Sequence, residues 1–172
     1  MVNHNFIMDS FAKGTSAEEI AMDRIKRAGW SITDVRNDKK YQVIDIDLIC
    51  SSSNDRWTVD VKTDRGDTGN YFIETKSNVE RDTAGWGYSS EADYIMIVYP
   101  VRVGFEIHVI DAVILRNWLP LNEYKYRTIT NSTKRENGSV YHSKGVIINR
   151  QKFLEETGAV AQIFSFDQKD VA

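Results

Sequence analysis

Apolar positions along the chain first recur with a helical period. Between residues 17 and 28 they return every three or four positions, at Ala17, Ile20, Ala21, Ile25 and Ala28. This spacing predicts an amphipathic helix, with Thr15 or Ser16 as the N-cap and Gly29 as the stop signal.

A two-residue alternation then predicts strands, and short apolar runs predict buried ones. The predicted strands cover 30–35, 41–50, 56–63, 71–76, 94–99, 105–110, 145–149 and 160–166. Helices are expected near 111–119 and 151–157. This order of elements predicts an α/β fold with a central mixed β-sheet flanked by helices.

The polar segments between these elements are expected to be turns and loops. Residues 65–70 are interpreted as a hairpin loop, and 77–91 as a loop in which Gly85-Trp86-Gly87-Tyr88 lines a substrate groove. Trp86, between its glycines, is the aromatic side chain expected to be exposed for stacking on bases. Residues 120–144 are poorly patterned, and 131–138 are expected to form a mobile loop.

The composition adds limits on architecture and location. A chain of 172 residues with 41% apolar residues is long enough for one substantial core, so a single domain over 1–172 is expected. The single cysteine, Cys50, excludes an intramolecular disulfide and favours a reducing, cytoplasmic setting. No window approaches the ~20 apolar residues that span a bilayer, so no membrane association is expected.

The net charge of −3 argues against coating of nucleic acid by bulk charge, because phosphate binding depends on lysine and arginine. Any contact with DNA is therefore expected to be local. Two basic patches are candidates: Arg24, Lys26, Arg27, Lys39 and Lys40, and then Lys125, Arg127, Lys134, Arg135 and Lys144. Solvated surface charge is the alternative interpretation of both patches.

The candidate catalytic groups of the chain are carboxylates close to a lysine. Asp47 lies at the end of a predicted strand rich in Ile and Val, and Asp60 and Lys62 are one residue apart, so a strand carries both to one side. Mg²⁺ takes oxygen ligands, usually one or two carboxylates with substrate phosphate oxygens. The pattern predicts a metal site for phosphodiester hydrolysis. An outward-facing Asp47 and a cross-strand ion pair of Lys62 are the alternatives.

Helix geometry separates two adjacent glutamates. Projection at ~100° per residue places Glu18 at the border of the apolar face and Glu19 towards solvent. Glu18 is therefore the candidate for the site, and N-terminal capping is the alternative, since Thr15 to Glu18 and Ser16 to Glu19 both satisfy the capping-box pattern.

Two further carboxylates are candidates on predicted strands. Asp45 is expected on the same strand face as Asp47 and could support the site from behind it. Glu74-Thr75-Lys76 is a second acidic-x-Lys triplet, and Glu74 is a candidate metal ligand. Charges on a solvent face are the alternative for Glu74 and Lys76.

These motifs resemble the PD-(D/E)XK nuclease superfamily, with a spacing closest to archaeal-type Holliday junction resolvases. They are Glu18 in the segment 14–30, Ile46-Asp47-Leu48-Ile49, and Val59-Asp60-Val61-Lys62. The resemblance covers 14–63 and implies a restriction-endonuclease-like core, with motifs expected within 14–99. Two departures are Ile46 where proline is usual and Asp60 where glutamate is more usual. The stretch 68–74 with Gly85-Trp86 resembles nucleases encoded by bacteriophages.

The resemblance implies a Mg²⁺-dependent DNA endonuclease, with Mn²⁺ as a substitute, acting on branched DNA such as Holliday junctions, and a homodimer. Catalysis is carried over onto Glu18, Asp47, Asp60 and Lys62, with Lys62 as base or as electrostatic stabiliser. Glu18, Asp47 and Asp60 are the implied metal ligands, to which Glu74 is added. Two alternatives stay open: a nuclease-fold module that binds DNA or protein without turnover, and an interaction protein whose acidic surface binds a basic partner.

Other enzyme classes lack their sequence signals. The chain has no Gly-x-x-x-x-Gly-Lys loop for a nucleoside triphosphate and no Gly-x-Ser-x-Gly nucleophile elbow.

Overall fold

Two β-sheets form the framework of the protein in the computed structural model, which describes residues 16–64, 68–100, 105–135, 137–158 and 160–166. Thr15, the alternative N-cap, and Gly14 lie outside the described residues. No helix in these ranges is both long enough and apolar enough to span a bilayer.

The helices are α1 (Ala17–Arg27), α2 (Lys39–Gln42), α3 (Trp86–Ser89), α4 (Ala112–Asn122) and α5 (Arg150–Thr157), with a 3₁₀ turn at Glu123–Lys125. The strands are β1 (Ser31–Asp34), β2 (Leu48–Ser51), β3 (Arg56–Thr63), β4 (Asn70–Asn78), β5 (Thr83–Ala84), β6 (Tyr94–Pro100), β7 (Phe105–Asp111), β8 (Arg127–Lys134), β9 (Val140–Asn149) and β10 (Val160–Phe166).

The larger sheet is mixed, which confirms the predicted α/β class. Its six strands run in the order β1-β2-β3-β6-β7-β10. β3 and β6 pair in parallel, with Asp60 opposite Ile95, and the other neighbours are antiparallel. The smaller sheet, in the order β5-β4-β9-β8, is antiparallel throughout.

Two large apolar clusters hold these layers together. Helix α1 packs its apolar face on the six-stranded sheet, where Ile20 and Ala21 meet Leu48 and Val59. The second cluster joins both sheets to α4 and α5, with Tyr71, Ile73, Ile97, Leu115, Leu119 and Phe153 at its centre. Full burial of one such side chain contributes about 1.5–3 kcal/mol, so these clusters fix the position of β3 between α1 and the smaller sheet.

The N-terminus of α1 is capped by Ser16 with Glu19. The backbone N–H of Glu19 donates to Ser16 Oγ at 3.2 Å, and the backbone N–H of Ser16 donates to Glu19 Oε2 at 2.8 Å. Glu19 is therefore the capping glutamate, and Glu18 does not take part in the box.

The prediction of a strand over 41–50 is wrong in its first half. Asp38 caps the short helix α2, Asp45 adopts φ 52°, and β2 begins at Leu48. The alternating apolar residues of this segment instead pack as a separate small cluster around Val35 and Ala92. Asp45 and Asp47 consequently do not share a strand face.

The prediction of an unpatterned segment over 120–144 is also wrong, because β8 and β9 form a long hairpin there. All of β8 except Ile129 is exposed, so no apolar alternation marks it as a strand. Its residues Thr128, Thr130 and Thr133 nevertheless favour extended backbone. The expected mobile loop over 131–138 shrinks to the turn between Lys134 and Val140, within which residue 136 is not described.

Two smaller predictions also need correction. Residues 65–70 do not close a hairpin, because β3 pairs with β2 and β6 while β4 belongs to the other sheet; residues 65–67 lie outside the described ranges. The expected loop over 77–91 contains the end of β4, the strand β5 and the helix α3.

Candidate active site

Strand β3 brings Asp60 and Lys62 into direct contact. Lys62 Nζ lies 2.6 Å from Asp60 Oδ1, so the ion pair considered for this lysine is present. Asp60 is 0% exposed, and its other oxygen, Oδ2, has no hydrogen-bond partner in the part of the chain that the structure describes. A buried carboxylate with one oxygen left without a partner is costly, which marks the position as unusual.

Burial and neighbouring charges shift both members of this pair. Burial raises the pKa of the Asp60 carboxyl to about 7; Lys62 opposes the rise, while Asp47 and Asp45 add to it. Burial, the largest single effect, would lower the pKa of Lys62, but the charge and hydrogen bond of Asp60 together with the charges of Asp45 and Asp47 outweigh it and raise the pKa above its ordinary value. Lys62 therefore stays an ammonium near neutral pH.

Asp47 is fixed immediately before β2 by its own backbone. Its N–H donates to Val59 O at 2.9 Å, and its carbonyl accepts from Val35 N at 2.9 Å. The carboxylate turns towards β3, where Asp47 Oδ2 accepts the backbone N–H of Val61 at 2.8 Å. The structure thus places Asp47 beside the Asp60-Val61-Lys62 triplet, as the sequence predicts.

Glu18 faces an arginine, Arg36, that belongs to none of the sequence motifs. Arg36 forms a two-pronged contact with Asp34, at 2.6 and 3.0 Å, and its NH1 lies 3.9 Å from Glu18 Oε2. The pKa of Arg36 is raised chiefly by its hydrogen bond to Asp34, and Glu18 and Asp47 add to this. Arg36 lies in a turn after a four-residue strand, so no periodicity or motif could identify it.

Glu74 approaches Lys62 from the smaller sheet. Burial raises the pKa of its carboxyl, against the opposing effects of Lys62, the Ser143 side chain and the backbone N–H of Trp86. Gly85 packs closely on Glu74, since a Cβ at residue 85 would lie 2.6 Å from the backbone of Glu74. The structure therefore brings Glu74 to the site, although from a sheet other than that of Asp60.

Asp45 also faces the site, but from a turn instead of a strand. Ser89 Oγ donates to Asp45 Oδ2 at 2.5 Å, and Ser90 Oγ donates to its carbonyl at 3.3 Å. The negative charge of Asp45 acts on Asp60, Lys62 and Glu74. Both serines belong to the end of α3, a contact over more than forty residues that no local pattern reveals.

A cleft of about 660 Å³ opens between the two sheets beside these groups. Lys62 and Glu74 lie on its wall, and its apolar lining includes Phe72, Trp86, Ile97 and Tyr99. Trp86 lines the cleft as expected, but the prediction that it is exposed is wrong, because it is only 9% exposed. Its indole is packed in the core that joins the sheets to α4.

The donor set suits a hard cation held by few carboxylates. Over the described ranges, no group of three or more His, Cys, Asp or Glu side chains is arranged to hold a metal ion. Mg²⁺ commonly uses one or two carboxylates and keeps several waters. Asp60, whose buried Oδ2 lacks a hydrogen-bond donor, and the adjacent Asp47 fit this mode of binding.

Comparison of the chain with models of protein families, with curated proteins and with solved structures gives no match.

Proposed function

We propose that the protein is a Mg²⁺-dependent DNA endonuclease with a restriction-endonuclease-like core. The observation that carries the proposal is the fully buried Asp60 carboxylate, which pairs with the cleft residue Lys62, lies beside Asp47 and keeps one oxygen without a partner. A buried polar atom without a partner costs about 1–3 kcal/mol, and carboxyl groups with strongly shifted pKa values concentrate at functional sites. The order of Glu18 on a helix, Asp47 immediately before a strand and Asp60 on the next strand supports the same assignment.

Asp47 and Asp60 would hold the metal ion, with Glu18 and Glu74 as additional carboxylates on either side. When bound there, Mg²⁺ would polarise the scissile phosphate and lower the pKa of an attacking water. The backbone N–H of Val61 orients Asp47 by occupying one of its oxygens, which leaves the other free for a ligand. Both proposed ligands are thereby positioned by residues 60–62 of β3: Asp60 lies in this segment, and Asp47 is hydrogen-bonded to it.

Lys62 acts in this proposal as a positive charge instead of a general base. Its raised pKa keeps the side chain protonated at neutral pH, so it holds no free electron pair to take a proton from water. Its side chain lines the cleft, where an ammonium stabilises charge that develops on a phosphate.

The proposed substrate class is branched DNA such as a Holliday junction, cut by a homodimer. Both points follow from the resemblance in motif spacing. A two-fold dimer would place two identical sites for paired cuts on a symmetric junction.

A second candidate function is a nuclease-fold module that binds DNA without cutting it. The ion pair between Lys62 and Asp60 favours this candidate, because the ammonium neutralises the carboxylate that would otherwise bind the metal ion. The two candidates differ in one measurable property, the dependence of DNA cleavage on a divalent cation.

The test is cleavage of labelled linear, single-stranded, flapped and four-way-junction DNA with Mg²⁺, Mn²⁺ or EDTA. Asp60→Asn and Lys62→Met should each lower the cleavage rate by about 100-fold or more. Asp55→Asn, which removes an exposed carboxylate from the turn before β3, is the matched control and should cut like the wild type. DNA binding without any cation-dependent cutting would reject the enzyme and favour the binding module.

A further inference from the structure

The hairpin of β8 and β9 is locally basic in an acidic chain. From 127 to 149 it contains four basic residues, Arg127, Lys134, Arg135 and Lys144, and one acidic residue, Glu136. The local charge is thus +3, whereas the whole chain carries −3. The four basic side chains do not lie on the same face of the hairpin.

One face of the hairpin forms a wall of the cleft. Ile129, Asn131 and Ile147 line the cleft beside Lys62. Arg127 pairs directly opposite Ile147, and directly opposed residues share a face in an antiparallel pair. Arg127 therefore lies on the wall that carries Ile129 and Asn131.

Arg135 reaches the same face at the other end of β8. Its guanidinium carbon lies 4.9 Å from the centre of the Tyr141 ring. Tyr141 pairs opposite Thr133, which alternation places on the face of Asn131. The two arginines therefore stand at the two ends of a polar strand, roughly 27 Å apart along its backbone.

The two lysines lie on the opposite face. Lys144, Thr128 and Val146 line a separate depression of about 250 Å³. Lys134 follows the same alternation as Thr128 and so points away from the cleft. The arginines and the lysines of this hairpin are all exposed, and the two pairs carry the same formal charge on two distinct surfaces.

Neither arginine forms an ion pair with a carboxylate in the part of the chain that the structure describes. Between them, Asn131 and Thr133 present amide and hydroxyl groups. Arginine, amide and hydroxyl side chains are the groups that proteins commonly use to bind the phosphate oxygens of DNA. Charge complementarity therefore points to a polyanionic strand on this face.

We propose that the cleft face of the hairpin, formed by Arg127, Asn131, Thr133 and Arg135, binds the phosphodiester backbone of a DNA strand that enters the cleft at Lys62. The inference rests on the proposed function, because DNA is the occupant in both. It adds that the contact is made by one face of a single hairpin, while the lysines of that hairpin contribute little.

The test is binding of fluorescent 20-nucleotide single strands and 20-base-pair duplexes, measured by anisotropy in EDTA at several salt concentrations. Arg127→Gln and Arg135→Gln should each weaken binding about fivefold and lower the slope of log affinity against log salt by about 1. Lys134→Gln and Lys144→Gln, the matched controls, should change affinity less than about twofold. Arg127→Lys should restore most of the salt slope, which separates charge from misfolding.

Equal losses in the arginine and lysine variants would overturn the inference, since bulk charge would then explain binding. Unchanged affinity in all four variants, or a wild type without salt-sensitive affinity for either DNA, would overturn it too. If the wild type cuts DNA but the arginine variants bind it normally, the inference about the hairpin is rejected and the proposed nuclease function is retained. Arginine-dependent binding without Mg²⁺-dependent cleavage rejects the nuclease and supports the hairpin surface. The arm that binds more tightly identifies the strand form recognised.

Discussion

The carboxylate of Asp47 accepts a 2.8 Å hydrogen bond from the backbone N–H of Val61, the residue between Asp60 and Lys62. The bond joins the segment before β2 to the middle of β3. One carboxylate oxygen of Asp47 therefore has a structural role as the acceptor of this hydrogen bond. The other oxygen has the proposed role of metal ligand.

These two tasks of Asp47 can be separated by substitution. Asp47→Asn keeps an acceptor oxygen for the Val61 N–H, so the free energy of unfolding should change by less than about 1 kcal/mol while DNA cleavage is lost. Asp47→Ala removes the acceptor and should cost about 1–3 kcal/mol as well as activity. Urea denaturation and the cleavage assay measure the two effects. Equal stability of both variants would show that the hydrogen bond does not support the fold.

Asp60 should make the protein less stable as the pH rises. Its pKa is raised to about 7 in the fold, so between about pH 4 and pH 7 the folded state retains a proton that the unfolded state has lost. Stability then falls by about 1.4 kcal/mol per pH unit in this window and levels off above it. Asp60→Asn removes this dependence, so it should be more stable than the wild type at pH 8 by a larger margin than at pH 5.

Denaturant unfolding of both proteins at pH 5, 6, 7 and 8 checks this expectation. The difference between them cancels the titration of other groups that both share. A margin that shrinks as the pH rises would mean that the Asp60 carboxyl is stabilised, instead of destabilised, as an anion.

The adjacent glutamates of α1 should separate activity from stability. Glu19→Ala breaks the capping box with Ser16 and should lower the free energy of unfolding by about 1 kcal/mol without loss of cleavage. Glu18→Gln should have the reverse effect, reduced cleavage at nearly unchanged stability. Thermal unfolding and cleavage of the two variants are compared side by side, and a fall in cleavage for Glu19→Ala alone would exchange their roles.

Gly145 should tolerate no side chain, because the Phe72 ring and the backbone carbonyl of Ile73 lie against it. A Cβ at this position would meet the Phe72 ring at 2.4 Å and the carbonyl oxygen of Ile73 at 2.6 Å. Gly145→Ala should destabilise the protein by about 1–3 kcal/mol. Thr130→Ala, on the neighbouring exposed strand, is the control and should cost less than about 1 kcal/mol.

A double-mutant cycle tests the cause of this effect. Phe72→Leu replaces the ring that a Cβ at residue 145 would displace with a smaller aliphatic side chain. Part of the loss in free energy of unfolding caused by Gly145→Ala should therefore disappear in the double variant. Strict additivity would leave the backbone of Ile73 as the source of the strain.

Cys50 should be inert to thiol reagents in the folded protein. It is 0% exposed, and burial raises the pKa of its thiol to about 12, so the reactive thiolate is scarce at pH 8. Dithionitrobenzoate should release no chromophore until urea unfolds the chain, whereas Ser53→Cys, in the exposed turn before β3, should react at once. Rapid native reaction of the wild type would show that β2 opens readily.

Local patterns were sufficient for the parts of the fold whose apolar residues face one layer. The helix α1 and the strand β3 follow their periods closely, and the triplet of Asp60 and Lys62 lies where the alternation places it. Strand β8 has no buried face to mark it, so its existence depends on pairing with β9. The helix α2 forms where a strand is predicted, because Tyr41 and Ile44 pack against a small cluster around Val35 and Ala92 instead of along a strand face.

The candidate site was predictable to the same extent. One short stretch of chain predicts Asp47 and Asp60, since Asp47 immediately precedes β2 and Asp60 lies on the neighbouring strand β3. Arg36 beside Glu18, and the serines that hold Asp45, are brought in by tertiary contacts between segments far apart in sequence. No spacing rule encodes such contacts.

The parallel pairing of β3 with β6 sets when this site can exist during synthesis. One edge of β3 is covered by β2 within a few residues, but the other waits for β6, which starts at Tyr94. A growing chain that has not reached β6 leaves that edge unpaired and open to water, so Asp60 is not yet enclosed. An N-terminal fragment that ends between Lys62 and Tyr94 is therefore expected to lack the site, even though it contains Glu18, Asp47, Asp60 and Lys62.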